Sequence, residues 1–474
     1  MKTRILPNTL SRHGLSRLRL LTASVLLIAA AVALVAVGSG IANSTAPDYD
    51  ALGPNSLQGA HAHSSVTRAP KGGRNGMRGA GVNGTTVDSV PTVNGQYFAP
   101  GYYFDANGNA IFNNHWYVNT LGNAPQFGGT TSFNAPIIPV SVDMRNADGS
   151  PRYVRVVNGT VFTCDNANLT PDCKRLYYDA TTFTENATSL LNLVLNSPVY
   201  ANANYSSSST PTQFTDAVQR AEFFKKAKSD WHTVLSPAPK TPPSPYVMTL
   251  IRGTYRFALH NDGSCCQFVL VDADTFANAL FPPTSDLSDT STIIGRAEHG
   301  DITQQDISTF LFPNTFLYSN GDPNDCCIVG FHAFDFEVVN SVTRFYVLNY
   351  SSWVSPGIFG GGIFQDVTAL SHEIAETYND PFVVYDNIHN LTQIWVAPNG
   401  NCQNTRETGD VIEGLPNATF PIMLNGYLYH PQNEALLQWF SGGSDSIDGA
   451  LSYPNESVLA GSTGVPNPPL LTCP

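Results

Sequence analysis

Residues 371–380 of this 474-residue chain read Ser-His-Glu-Ile-Ala-Glu-Thr-Tyr-Asn-Asp, and Pro381 follows directly. The stretch predicts a helix over about 366–378, because proline cannot continue one and Asn379-Asp380-Pro381 marks its stop. On a helix His372 and Glu376, four residues apart, share a face, while Ile374 and Ala375 suit the buried side. An imidazole and a carboxylate on adjacent turns can share one metal ion. Glu373, next along from the histidine, then reaches the open position of that ion as a general base. The pattern is HExxH with its second histidine replaced by glutamate.

Charge context strengthens the reading. From Asp366 through Thr405 there is no Lys or Arg, yet Asp366, Glu373, Glu376, Asp380 and Asp386 all fall there. Glu376 and Asp380 lie toward the helix C-terminus, where the macrodipole disfavours anions by up to about 1 kcal/mol each. Acids crowded beside an apolar face also raise one another's pKa. A bound cation relieves both penalties. The competing reading is a solvated acidic surface helix.

A third ligand is required, and the tail offers it. Glu407-Thr408-Gly409-Asp410 follows Cys402, and a downstream Glu can close a zinc site begun by a helical pair. Asp410 suits a place behind the ligands, orienting one of them. His430, in Tyr429-His430-Pro431-Gln432, is the rival ligand or a hydrogen-bond donor to the transition state, against a structural role after the Asn425-Gly426 turn. His389 and His332 are weaker candidates.

Two groups of residues carry a family resemblance. One is Cys-Cys-Ile-Val-Gly-Phe-His at 326–332 with Leu-Ser-His-Glu-Ile-Ala-Glu at 370–376; the other runs from Cys402-Gln403 to Asp410 and from Asn425-Gly426-Tyr427 to Ala435. Together they resemble secreted bacterial proteins of the HExxE zincin-like kind. More distantly they resemble the plant phosphate-induced (EXORDIUM-like) proteins, which share a Gly-aromatic-His segment, a His-Glu-x-Ala-Glu helix and a later Glu-x-x-Asp. The resemblance spans about residues 136–440, with specific motifs from 326 onward. It implies a zincin-like α+β domain, with His372, Glu376 and Glu407 as ligands and Glu373 as base.

The replacement of histidine by glutamate has an electrostatic consequence. Two carboxylates and one neutral imidazole cancel the charge of Zn²⁺, whereas a His₂Glu set leaves the ion a net +1 that better acidifies water. Zinc remains the first expectation, but such a site also tolerates Mn²⁺ or Ca²⁺. The reading is therefore a secreted, metal-dependent peptidase-like hydrolase acting on protein or peptide. Its alternative is a catalytically inactive, metal-stabilised extracellular binding or cell-surface protein. No GxSxG or Walker motif supports another chemistry.

The N-terminal 42 residues hold five basic side chains and no acid, then an apolar run from 20 to 37 and Gly40-Ile41-Ala42. This reads as a signal peptide, with an uncleaved membrane anchor as the alternative. Without those residues 19 basic side chains face 37 acidic ones, a net charge of −18 that disfavours a nucleic-acid partner. Eight cysteines in an exported chain suggest disulfides. Cys164 and Cys173 can close a small loop, and the vicinal pairs Cys265-Cys266 and Cys326-Cys327 are candidates for cross-connection. The absence of CxxC argues against a cysteine metal site.

Residues 43–90, rich in Ser, Gly, Ala and Asn, read as a flexible linker or pro-segment, and 91–135 as a Gly- and aromatic-rich lead-in with a hairpin turn at Asn107-Gly108. The zincin-like domain then covers 136–474. Strands are expected at 137–142 and 153–162 as a hairpin, at 255–259 and 267–271 as another, and at 329–336 and 343–348. Helical spacing marks 213–234, and Asp301 with Gln304 resembles a helix start. The fold class is α+β, a mixed sheet with a few separated helices, one of them carrying HExxE.

Overall fold

The computed structural model describes residues 46–60, 62–64, 86–104, 110–206, 210–240, 245–361, 364–383, 395–403, 405–462, 464 and 473. The expected signal segment, the turn at Asn107-Gly108, Asp386 and His389 lie outside them. Among the described residues no helix is long and apolar enough to cross a membrane.

The fold is mixed α+β, mostly strands, around one large curled sheet. Its hydrogen-bonded order runs Ala51–Leu52, Tyr255–Leu259, Cys265–Asp272, Thr315–Tyr318, Cys326–Val339, Val342–Trp353, Ile307–Pro313, Thr130–Arg145, Tyr177–Tyr178. The strand Thr130–Arg145 is the longest. Along its length it pairs in parallel with His232–Pro239 and then with Tyr246–Ile251. Ile307–Pro313 is buried at every residue, as expected for a strand covered on both faces.

Alternate residues of these strands feed opposite sides of the sheet. Ile138, Phe331, Ala333, Tyr346, Leu348 and Tyr350 pack with Phe276 and Ile294 of the short helices on one side. Ile137, Phe345 and Val347 pack with Leu370, Ile374 and Tyr378 on the other. The last three recur every four residues along the helix Thr368–Asn379, so one stripe of that helix docks on the sheet. His372, Glu373 and Glu376 occupy the rest of its circumference.

Several sequence expectations are revised. The stretch 137–142 and Tyr153–Val157 form no hairpin with one another. Beyond the bridge Arg145↔Pro151 they diverge, and Tyr153–Val157 pairs instead with Thr160–Thr163 and Lys174–Arg175. The helix at 213–234 ends at Glu222, and His232–Pro239 is a strand. Asp301 is not a helix start; it follows the helix Ile293–Ala297 and accepts from Tyr246 Oη at 2.6 Å. The hairpin Tyr255–Leu259 with Cys265–Asp272 is present, as are the antiparallel strands Cys326–Val339 and Val342–Trp353.

The segment expected as a linker also supplies three short strands, Ala51–Leu52, His63–Ser64 and Thr86–Asp88, which join the main sheet. A buried ion cluster anchors the first of them, and Asp88 of the last accepts from Gln304 at 2.6 Å and Gln305 at 2.9 Å. Arg152 reaches Asp48 at 2.5 Å and Asp50 at 2.8 Å, and Arg252 and Arg256 bond Asp50 at 2.8 and 3.0 Å. Composition alone hides this, because the anchors are only three acids.

The cysteines pair as Cys164–Cys173, Cys402–Cys473, Cys265–Cys266 and Cys326–Cys327. Each vicinal pair is bonded within itself, so the cross-connection does not occur. Paired cysteines are compatible with an extracellular protein.

Candidate metal centre

Every residue of the helix Thr368–Asn379 is buried, which excludes the solvated surface helix. Its start is fixed by side chains that bond the backbone of the tail. Asp366 receives the backbone N–H of His430 at 2.8 Å and lies 2.7 Å from its Nδ1, and the Thr368 hydroxyl donates to the His430 carbonyl at 2.7 Å. The Gln432 N–H donates to Ser371 Oγ at 2.8 Å, one turn further on. At the other end Asn379 accepts from Gln219 at 2.9 Å, and Asp380 and Pro381 stop the helix.

Two clusters of ligand-type atoms meet on this helix, and Glu376 belongs to both. In the first, His372 Nε2 lies 3.1 Å from Glu376 Oε1 and 3.5 Å from Asp410 Oδ1. In the second, His332 Nδ1 lies 3.3 Å from Glu376 Oε2 and 3.7 Å from Glu407 Oε2. Glu373 Oε2 also stands 3.7 Å from His332 Nδ1. None of these side chains is exposed beyond Asp410, at 8%.

The loop after Cys402 is held rigidly over the helix. Glu376 Oε1 accepts the backbone N–H groups of Gly409 at 3.0 Å and Asp410 at 3.4 Å. Gln432 donates to the Gly409 carbonyl at 2.8 Å, and Gln403 donates to Asp410 Oδ2 at 2.5 Å. The rest of the carboxylate array has no such support. Both ring nitrogens of His332 and of His372, both oxygens of Glu373 and of Glu407, Glu376 Oε2 and Asp410 Oδ1 are buried without a hydrogen bond. Orphaned groups of this kind each cost about 1–3 kcal/mol, and more when charged. Docking Leu370, Ile374 and Tyr378 contributes about 1.5–3 kcal/mol per side chain. A cation would relieve these groups, and imidazole with carboxylate oxygen is a fitting donor set for one.

Burial opposes charge on each of these groups. In the histidines it is outweighed: the Glu407 charge and the Glu373 and Glu376 carboxylates hold His332 well above the usual imidazole range. Glu376 and Asp410 do the same for His372. Burial pushes Glu373, Glu407 and Asp410 up, and the Glu376 charge adds to it in each. Glu376 alone moves down, since the two imidazoles beside it overcome its burial.

The sequence-derived residues are thus redistributed. His372, Glu373 and Glu376 stand together, but Glu407 groups with His332, and Asp410 takes its place beside His372. His430 belongs to neither cluster and pairs with Asp366. His332, rated weak, is central. Its signal was the spacing Gly330-Phe331-His332 within a strand, which puts Gly330 and His332 on the face toward the helix. Glu413, unnoticed in the sequence, stands 4.0 Å from His372 Nδ1, beyond hydrogen-bond distance. No family model, no curated protein and no solved structure matches the chain.

Proposed function

We propose that the chain is a secreted, zinc-dependent hydrolase of zincin-like type that cleaves peptide bonds, with Glu373 as its general base. The observation that carries this reading is the Glu373 carboxylate. It faces the centre 3.7 Å from His332, it sits above Gly330, and neither of its oxygens has a hydrogen bond. A purely structural metal site has no use for such a group. His372, Glu376 and Asp410, with His332 and Glu407, are the side chains that would hold the ion, which when bound would supply Lewis acidity for water and for a scissile carbonyl. Glu373 takes a proton from the attacking water and delivers it to the leaving amine.

The zero exposure of His372, Glu373 and Glu376 favours a second reading, a metal-stabilised binding protein without catalysis. Glu373→Gln separates the two, because it removes basicity and keeps size. In a hydrolase the variant retains its metal, and cleavage of an unfolded protein falls by about 10²-fold or more. Chelator-sensitive cleavage that survives the substitution overturns the mechanism. A metal-loaded parent inactive on a broad peptide library favours the binding reading.

A further inference from the structure

We infer that the centre holds two divalent cations bridged by the Glu376 carboxylate, one with His372 and Asp410, the other with His332 and Glu407. The inference rests on the metal-centre reading above and extends it from one ion to two.

The geometry is a division of one carboxylate between two imidazoles. Oε1 of Glu376 faces His372 Nε2 at 3.1 Å, and Oε2 faces His332 Nδ1 at 3.3 Å. Each imidazole brings its own second carboxylate, Asp410 or Glu407, and neither cluster contains both histidines. The two clusters also come from different parts of the chain. His332 projects from the sheet below the helix, and Asp410 from the loop whose Gly409 N–H binds the same Glu376 oxygen as His372.

Charge favours more than one ion as well. Glu373, Glu376, Glu407 and Asp410 bring four carboxylates to this buried volume, against two imidazoles that are neutral as ligands. One divalent ion leaves these four at a formal −2 and a second brings the four to zero, with buried Glu413 and Glu434 adding further acid around them. Buried charge without a partner is the costlier state by several kcal/mol. Arg406, buried next to Glu407, is directed to Asp380 at 3.6 Å and so does not supply the missing positive charge.

The departure from HExxH acquires a reason in this arrangement. A histidine at 376 offers one nitrogen toward the centre, whereas a carboxylate offers two oxygens and spans two ions. Paired-metal hydrolases hold their ions about 3.5–4 Å apart, a spacing a bridging carboxylate supports.

The test uses the full chain, stripped with chelator and titrated with Zn²⁺ or Mn²⁺ alone. Calorimetry and elemental analysis are expected to give about two equivalents per chain, as a paired site requires. The Mn²⁺ form should show an exchange-coupled electron paramagnetic resonance spectrum in place of the isolated six-line signal. Glu407→Gln should lower the content to about one equivalent, Asp410→Asn likewise, and each should abolish the coupling. Glu376→His, restoring HExxH, should keep the His372 ion and lose the other.

A single equivalent in the parent, lost wholly in either Glu407→Gln or Asp410→Asn, overturns the pair. So does a second ion without coupling that survives both variants and is lost with Glu337→Gln. That result would place it in the buried group Glu298, Asp335 and Glu337, which follows the alternate register of the same strand. The spectrum of the unmutated protein needs no variant to fold. The outcomes are also separable from the hydrolase reading. Two coupled ions without cleavage refute the hydrolase and leave the pair, and one ion with Glu373-dependent cleavage does the reverse.

Discussion

The backbone of Gly409 lies flat against the imidazole of His372: a methyl group added there would fall 2.5 Å from both Nδ1 and Cε1. Nothing but glycine fits, because the same residue must also bring its N–H within 3.0 Å of Glu376. Gly409→Ala therefore has to displace either the ring or the loop. Metal affinity should fall by about 10–100-fold, the scale seen when a ligand's supporting contact is lost. Titration of the stripped protein with Zn²⁺ measures it, and an unchanged affinity would mean that His372 does not bind metal.

Gly330 has the same relation to Glu373, its added methyl falling 2.6 Å from Oε1. Here the displaced group is the proposed base, not one of the ligands paired through Glu376. Gly330→Ala should keep most of the metal and lose activity by about 10²-fold, as expected when a base is misplaced. Equal losses of metal and activity would instead make Glu373 a ligand.

His430 and Glu407 were alternatives for one role, and substitution should separate them cleanly. Glu407→Ala should weaken metal binding strongly. His430→Ala should spare the metal but remove the ring that faces Asp366 Oδ2, leaving this acid, which burial already raises despite the bond to His430, only its backbone N–H donors. The expected cost is about 1–3 kcal/mol of stability, read from urea unfolding. Loss of metal in His430→Ala with retention in Glu407→Ala would invert the assignment.

The helix and its stop were legible because His372, Glu376 and Pro381 are local signals, each acting within one or two turns. The hairpin at 255–271 was legible for the same reason, a polar turn between apolar strands. The partition of the ligands was not. Glu407 and Asp410 are three residues apart, and spacing cannot say which histidine each one meets. That depends on His332 rising from the sheet on the face set by strand register, a long-range fact. The short strands at 51–52, 63–64 and 86–88 were hidden differently. The first is held by Asp48 and Asp50 against three arginines more than a hundred residues away, and the last by Asp88, which accepts from Gln304 and Gln305. A segment's own composition carries no trace of such partners.

Glu222 supplies a test of the fold independent of the centre. It ends the helix Phe214–Glu222, is fully buried, and accepts from the Leu437 N–H at 3.1 Å and from Asn379 at 3.4 Å. Burial pushes its pKa up to about 8. The folded chain thus keeps a proton that the unfolded chain releases near the ordinary value, about 4.3. The resulting stability is complete below that value and is lost as pH rises toward 8, because the unfolded state binds fewer protons across this window. Glu222→Gln keeps an oxygen for Leu437 and has no proton to lose. Relative to the parent it should be near neutral at pH 4–5 and more stable by a few kcal/mol at pH 9, with the gain accumulating across the interval. Urea unfolding at matched metal saturation, repeated across this range, measures the difference. A difference independent of pH would mean that Glu222 is already ionised at pH 5, held by the nearby Arg406 charge that acts to lower its pKa.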